Sequence, residues 1–97
     1  MAGYLIANIR VRDHKGFEEY RKQVAPLIAL FKGRYLVRGG ELCPLEGNPI
    51  FERLVVLEFP SLAEAQRFYD SPEYAPLKEL RLSSASSDVI LVDGYSA

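Results

Sequence analysis

The sequence predicts a small α+β domain with its elements in the order β-α-β-β-α-β. Three observations carry this. Side chains alternate between two faces with period two over Tyr4 to Val11, and again over Arg53 to Phe59. Apolar residues recur at helical spacing from Phe17 to Phe31 and from Leu62 to Tyr69. A last apolar run, Val89 to Val92, follows the second helical stretch.

In the first strand Leu5, Ala7, Ile9 and Val11 form an apolar face, which is expected to meet the helices. Tyr4, Ile6, Asn8 and Arg10 form a mixed one. Asp13 is placed to cap the first helix, because a carboxylate there accepts from the unpaired N–H groups of the first turn. Phe17, Tyr20, Val24, Leu27, Ile28 and Phe31 make its buried stripe. Pro26 interrupts that stripe, and a proline inside a helix loses one hydrogen bond and clashes with the preceding turn. A kink, or two short helices meeting near Val24, is the expectation. Gly33 reads as the stop.

Arg34 to Cys43 reads as the second strand, with Gly39-Gly40 inside it, and 44–49 as a turn-rich connection. The third strand, Arg53 to Phe59, turns Val55, Leu57 and Phe59 one way and Leu54, Val56 and Glu58 the other. Ser61 with Glu64 is a capping box for the second helix, whose buried stripe is Leu62, Ala65, Phe68 and Tyr69. Ser71-Pro72 ends it, since the residue before a proline is pushed out of helical geometry. A short helical piece runs through Leu77 to Arg81, with Pro76 as its first residue. Ser83 to Ser87 reads as a polar linker, and Asp88 to Tyr95 as the fourth strand.

Two β-α-β halves joined by a hairpin make the split, ferredoxin-like arrangement. Its four-stranded antiparallel sheet carries both helices on one face and leaves the other open. An open face ought to be polar. Here it holds Tyr4, Ile6, Leu54 and Val56 among Asn8, Arg10 and Glu58. An exposed apolar patch usually marks an interface, so a homodimer packed face to face is expected.

Residues 1–97 are one domain's worth of chain, and 48% hydrophobic content suffices for one core. The net charge is -1, from 12 basic and 13 acidic residues scattered along the chain. That balance argues against nucleic-acid binding, which needs a basic stripe. Cys43 is the single cysteine, so no internal disulfide forms. It reads as a half-buried small apolar residue. With one histidine and no carboxylate cluster at ligand spacing, neither a metal nor another cofactor is expected. No apolar run approaches the ~20 residues of a membrane helix, and the N-terminal run is short for a signal peptide. Membrane association is not expected, and cytoplasm is the default compartment.

Arg38-Gly39-Gly40, Leu57-Glu58-Phe59-Pro60-Ser61, Ser71-Pro72-Glu73-Tyr74, Leu80-Arg81 and Asp93-Gly94 stand in an order and spacing that resemble one family. This is the domain-of-unknown-function 1330 family, within the dimeric α+β barrel superfamily. The resemblance spans nearly the whole chain, and Ser-Pro-Glu-Tyr is its most specific part. It implies a ferredoxin-like protomer and a barrel of two sheets packed face to face. It implies no established reaction. His14-Lys15 depart from the family's proline and acid, and Pro76 is a further departure. Haem-binding members of the superfamily use a histidine, for which His14 is the one candidate here; its place at the helix rim favours simple exposure.

Among residues that carry chemistry, Gly39-Gly40 lacks the strand-to-helix setting and the Lys-Ser/Thr of a phosphate loop. A bulge or a close backbone approach fits it better. Arg81, Tyr74, Tyr69 and Ser71 cluster in sequence as an anion or carbonyl site, with a planar fork of donors and oriented hydroxyls. The alternative is that Ser71 caps, Glu73 or Tyr74 anchors a loop and Arg81 pairs with a carboxylate. Glu41 and Glu58, with Asn8, Arg10 and Arg38, are candidates to line the open sheet face. A carboxylate walled in by apolar groups becomes an acid or base near neutrality; Glu58 paired with Arg10 or Arg38 does not. A cavity joining Tyr20, Glu58 or Arg81 would favour a cofactor-free enzyme on a small organic molecule. By superfamily analogy it would be of isomerase or monooxygenase type. Polar groups spent on one another would favour a non-catalytic ligand-binding or structural dimer.

Overall fold

The computed structural model describes residues 1–96. Its elements are β1 (Gly3–Val11), α1 (His14–Leu30), β2 (Arg34–Arg38), β3 (Arg53–Phe59), α2 (Leu62–Asp70), α3 (Ala75–Ser84) and β4 (Ala85–Asp93). The strands form one antiparallel sheet in the order β2-β3-β1-β4. This is the ferredoxin-like arrangement, α+β, with the end of the second helix continued by a third. Leu5, Ala7, Ile9, Leu57 and Phe59 are buried against Phe17, Val24, Ile28, Ala65, Phe68 and Leu77 of the helices. One face of β1 and β3 thus makes the core, as their alternation requires.

Asp13 caps α1, its carboxylate accepting from the Gly16 N–H at 3.2 Å. The helix runs unbroken through Pro26 instead of splitting near Val24. Pro26 deprives the Lys22 carbonyl of its partner, and that turn lies on the exposed side where water serves instead. The helix stops in a Schellman turn: the Gly33 N–H donates to Ile28 and the Lys32 N–H to Ala29. The left-handed residue is Lys32, at φ 65°, and not Gly33. Gly33 serves a different end, since a Cβ there would lie 2.6 Å from the Phe59 ring.

The second strand is shorter than its sequence indicates, ending at Arg38 instead of Cys43. Gly39 turns the chain away at φ 67°. The bulge falls earlier, between Tyr35 and Val37, not at Gly39-Gly40. It makes Leu36 an extra residue and reverses the side-chain phase. Tyr35 stands opposite Leu57 and Arg38 opposite Val55, both helix-facing positions, while Val37 stands opposite Val56 on the open face. The loop that follows exposes Cys43, which is therefore not half-buried.

Ser61 caps α2 through the Glu64 N–H at 3.1 Å. The capping box is half made, because the Glu64 carboxylate accepts from Arg67 instead. Leu62 is 37% exposed and does not join the buried stripe. The Ser83–Ser87 linker does not exist. Ser84 ends α3, Ala85 begins β4, and both are buried. The Ser84 carbonyl accepts from the N–H groups of Arg12 and Asp13 at 2.8 and 2.9 Å. These residues are small because two chain segments meet there, not because the chain is loose.

Candidate functional site

Between the sheet and the helices lies a cavity with about 50 Å³ of room. One water needs on the order of 10–15 Å³ on this measure, so the space takes several waters or one small organic molecule. Apolar side chains of the core form most of its walls. Its polar lining is Tyr20, Tyr35, Tyr69 and Tyr74 with Arg21, Arg38, Arg53 and Arg81. No carboxylate and no histidine lines it among the described residues.

Three residues make its deep end. Tyr20 comes from the buried stripe of α1, Tyr74 from the residue before α3, and Arg81 from the last turns of α3. Arg81 is 4% exposed and Tyr74 3%. The Arg81 Nε–H donates to the Tyr74 hydroxyl at 3.3 Å, and the hydroxyls of Tyr74 and Tyr20 share a hydrogen bond of 2.9 Å. Two phenols joined by one bond leave one phenolic proton unspent, whichever donates. The terminal nitrogens of Arg81 meet no acceptor among the described residues. They are also not sealed away, since Ser87 Oγ is, among the described residues, the one fully buried side-chain polar atom without a partner. The site is thus rich in donors and poor in acceptors.

Burial pushes the Tyr20 hydroxyl far above its ordinary range, and the neighbouring Tyr74 oxygen adds to this. Tyr20 is neutral at physiological pH. Burial works against the charge on Arg81, but the phenolic oxygens of Tyr74, Tyr20 and Tyr69 more than offset it, so the guanidinium holds its proton tightly. Burial also raises Tyr35, partly offset by the Arg38 guanidinium.

Toward solvent, Arg38 lies over the Tyr35 ring at 5.1 Å and Arg53 over the Phe17 ring at 5.2 Å. Each gains from the negative face of its ring. Arg21 pairs with Glu18 at 3.1 Å. Arg38, Arg53 and Arg81 make no ion pair among the described residues.

Of the residues singled out from sequence, Arg81, Tyr74, Tyr69, Tyr20 and Arg38 converge on this cavity. Ser71 does not line it; its hydroxyl donates to the Phe68 carbonyl and accepts from the Tyr74 N–H, so it holds Tyr74 in place. Glu58 lies on the opposite face of the sheet. There it accepts from Arg34 at 2.7 Å and from the Tyr4 hydroxyl at 3.3 Å, while Arg10 pairs with Asp88. Ion pairing is Glu58's role, with Arg34 and not Arg10 or Arg38 as partner. Glu41 is exposed in the loop after β2, away from the cavity. Asn8 holds the backbone of Ile50 and Glu52. His14 is exposed.

Arg21, Arg53 and Tyr35 escaped the sequence reading. The signals were there. Arg21 sits four residues after Phe17 on the buried stripe, and Arg53 stands in phase with Val55 and Leu57. A charge on an apolar face needs a partner or a cavity.

No curated protein matches the chain. Solved structures match over nearly its full length at low identity. One is a protein of unknown function from Rhodopseudomonas palustris: 16% identity, TM-score 0.75, covering 99% of this chain and 84% of that one. SnoaB, a cofactor-independent oxygenase from Streptomyces nogalater, aligns at 13% identity and TM-score 0.66, covering 99% and 95%. A dimeric ferredoxin-like protein of unknown function from Thermobifida fusca aligns at 16% identity and TM-score 0.64, covering 96% and 91%. These likenesses bear out the ferredoxin-like fold. The family description "Domain of unknown function (DUF1330)" matches residues 2–95, and the chain belongs to that family.

Proposed function

We propose that the protein binds a small organic anion in this cavity, with Arg81 and the Tyr20–Tyr74 pair as its recognition groups, and that it does so as a homodimer. The observation that carries the reading is a buried guanidinium with its terminal nitrogens free, beside an unspent phenolic proton, in a cavity without a carboxylate. A buried charge without a partner is costly to a fold. A ligand carboxylate or enolate supplies the missing acceptor in a bidentate, charge-assisted geometry.

The homodimer reading rests on the open sheet face. Ile6, Leu54 and Val56 are half-buried there, and Val37, Ile90 and Val92 are exposed, Ile90 by 57%. The Thermobifida fusca neighbour is dimeric, which supports the same reading. The cavity lies on the other side of the sheet, so a change at Arg81 leaves the dimer surface untouched.

A second reading is a cofactor-free enzyme, as the SnoaB likeness would allow by analogy. One observation favours it. Fixed donors in an apolar, water-poor cavity stabilise an oxyanion that develops during reaction. The base for such a step is not among the residues lining the cavity, so the substrate would have to ionise by itself or arrive ionised.

Calorimetric titration with butyrate tests the proposal. Wild-type protein is expected to bind with saturation, and Arg81→Ala to show no binding while keeping the dimer mass. If the wild type takes up no carboxylate and Arg81→Ala unfolds many degrees earlier, Arg81 is a structural tie and the proposal fails.

A further inference from the structure

We infer that the anion carries two separated negative groups on a short apolar body, a small dicarboxylate in its simplest form. The inference rests on the proposed binding site and adds the occupant of its outer end. Charge in the cavity comes in two places. Arg81 is buried at the deep end with Tyr20 and Tyr74. Arg38, exposed, and Arg53, half-buried, stand nearer solvent on β2 and β3. Both side chains line the same cavity, on neighbouring strands of the sheet.

Both arginines of the outer pair stand at helix-facing positions of the sheet. The bulge in β2 turns Arg38 from the open face to the helix face, where a charge has no packing value. Arg53 occupies a core-facing position of β3, next in phase to Val55. The Arg38 guanidinium lies 5.1 Å from the Tyr35 ring centroid and that of Arg53 5.2 Å from the Phe17 centroid, so each is held by an aromatic face. Neither meets a carboxylate among the described residues, whereas Arg21 beside them is neutralised by Glu18. Much of the remaining wall is apolar, Leu57, Val55, Ile9 and Phe17 among it. One anionic group answers Arg81, and a second answers Arg38 and Arg53.

Succinate and butyrate share a four-carbon chain and differ in the second carboxylate, so they separate the two ends. In titrations at neutral pH and low salt, succinate is expected to bind roughly tenfold tighter than butyrate, the effect of about 1.4 kcal/mol. The double variant Arg38→Gln, Arg53→Gln should bring succinate down to the butyrate affinity, and weaken butyrate far less than succinate. Arg21→Gln, whose charge Glu18 already cancels, should change neither. The substituted residues are not buried, and a melting curve checks that each variant folds. Butyrate binding with no advantage for succinate overturns the two-ended site and leaves the anion site standing. Inorganic phosphate binding as tightly as succinate also overturns it, because a compact anion does not reach both ends. Absence of binding by all three probes overturns both readings.

Discussion

At the scale of single residues, the cavity's chemistry depends on hydroxyls that do not ionise. Tyr20 is pushed above its ordinary 10.0 by burial and then by the oxygen of Tyr74. A raised value means that the folded chain keeps a proton which the unfolded chain gives up. The associated stability is fully present below about pH 10 and is lost as pH climbs above it. In an alkaline absorbance titration, Tyr20→Phe should remove one phenol from the late step that accompanies unfolding. Loss of amplitude from the early step instead would show Tyr20 to be open to solvent. Arg81 poses the complementary case, a buried charge without a carboxylate. Arg81→Met fills similar volume without the charge, so it should hold or raise the melting temperature while ending butyrate binding. A fall of many degrees would mark Arg81 as structural. Arg81 and Tyr74 were legible from the sequence as an Arg and a Tyr clustered with Tyr69 after the second helical stripe. Ser71 was not, because a hydroxyl that caps and one that binds look alike in a sequence.

At the scale of elements, the sequence was readable where one side of an element is buried. β1 and β3 alternate cleanly because each has a core face, and the α1 stripe follows its buried residues. β2 was misread because it is an edge strand with little burial, so no side-chain pattern marks the bulge at Leu36 or the end at Arg38. The same blindness turned Ser84 and Ala85 into a linker, since small residues serve both loose segments and tight crossings. The α1 terminus shows how position and cause separate. Gly33→Ala keeps an ordinary backbone but puts a Cβ against the Phe59 ring, and should cost about 1–3 kcal/mol by overpacking. Lys32→Gly removes the left-handed strain of a side-chain-bearing residue and should gain about 1 kcal/mol. Denaturant unfolding measures both; equal effects of the same sign would contradict this division of labour.

At the scale of the whole molecule, the sheet separates two surfaces. Its helix side carries the cavity and its open side the expected dimer contact, so each can be disabled alone. Val56→Asp should shift the protein from about twice the chain mass to the chain mass in light scattering, because an unpaired charge is costly to bury. A wild-type chain that is already monomeric at micromolar concentration would contradict the homodimer. The overall order of elements and the apolar open face were legible because they follow from periodicity. The cavity was not, because it depends on which side chains stop short of one another across α1, α3 and the sheet. The anion site is the central claim, and the Arg81 Nε–H signal in a proton–nitrogen spectrum of the wild-type protein tests it most directly. On titration with butyrate that signal should move with saturation while those of Arg10 and Arg67, outside the cavity, stay in place. A spectrum in which Arg81 does not respond, or in which all arginine signals drift together, would contradict the site.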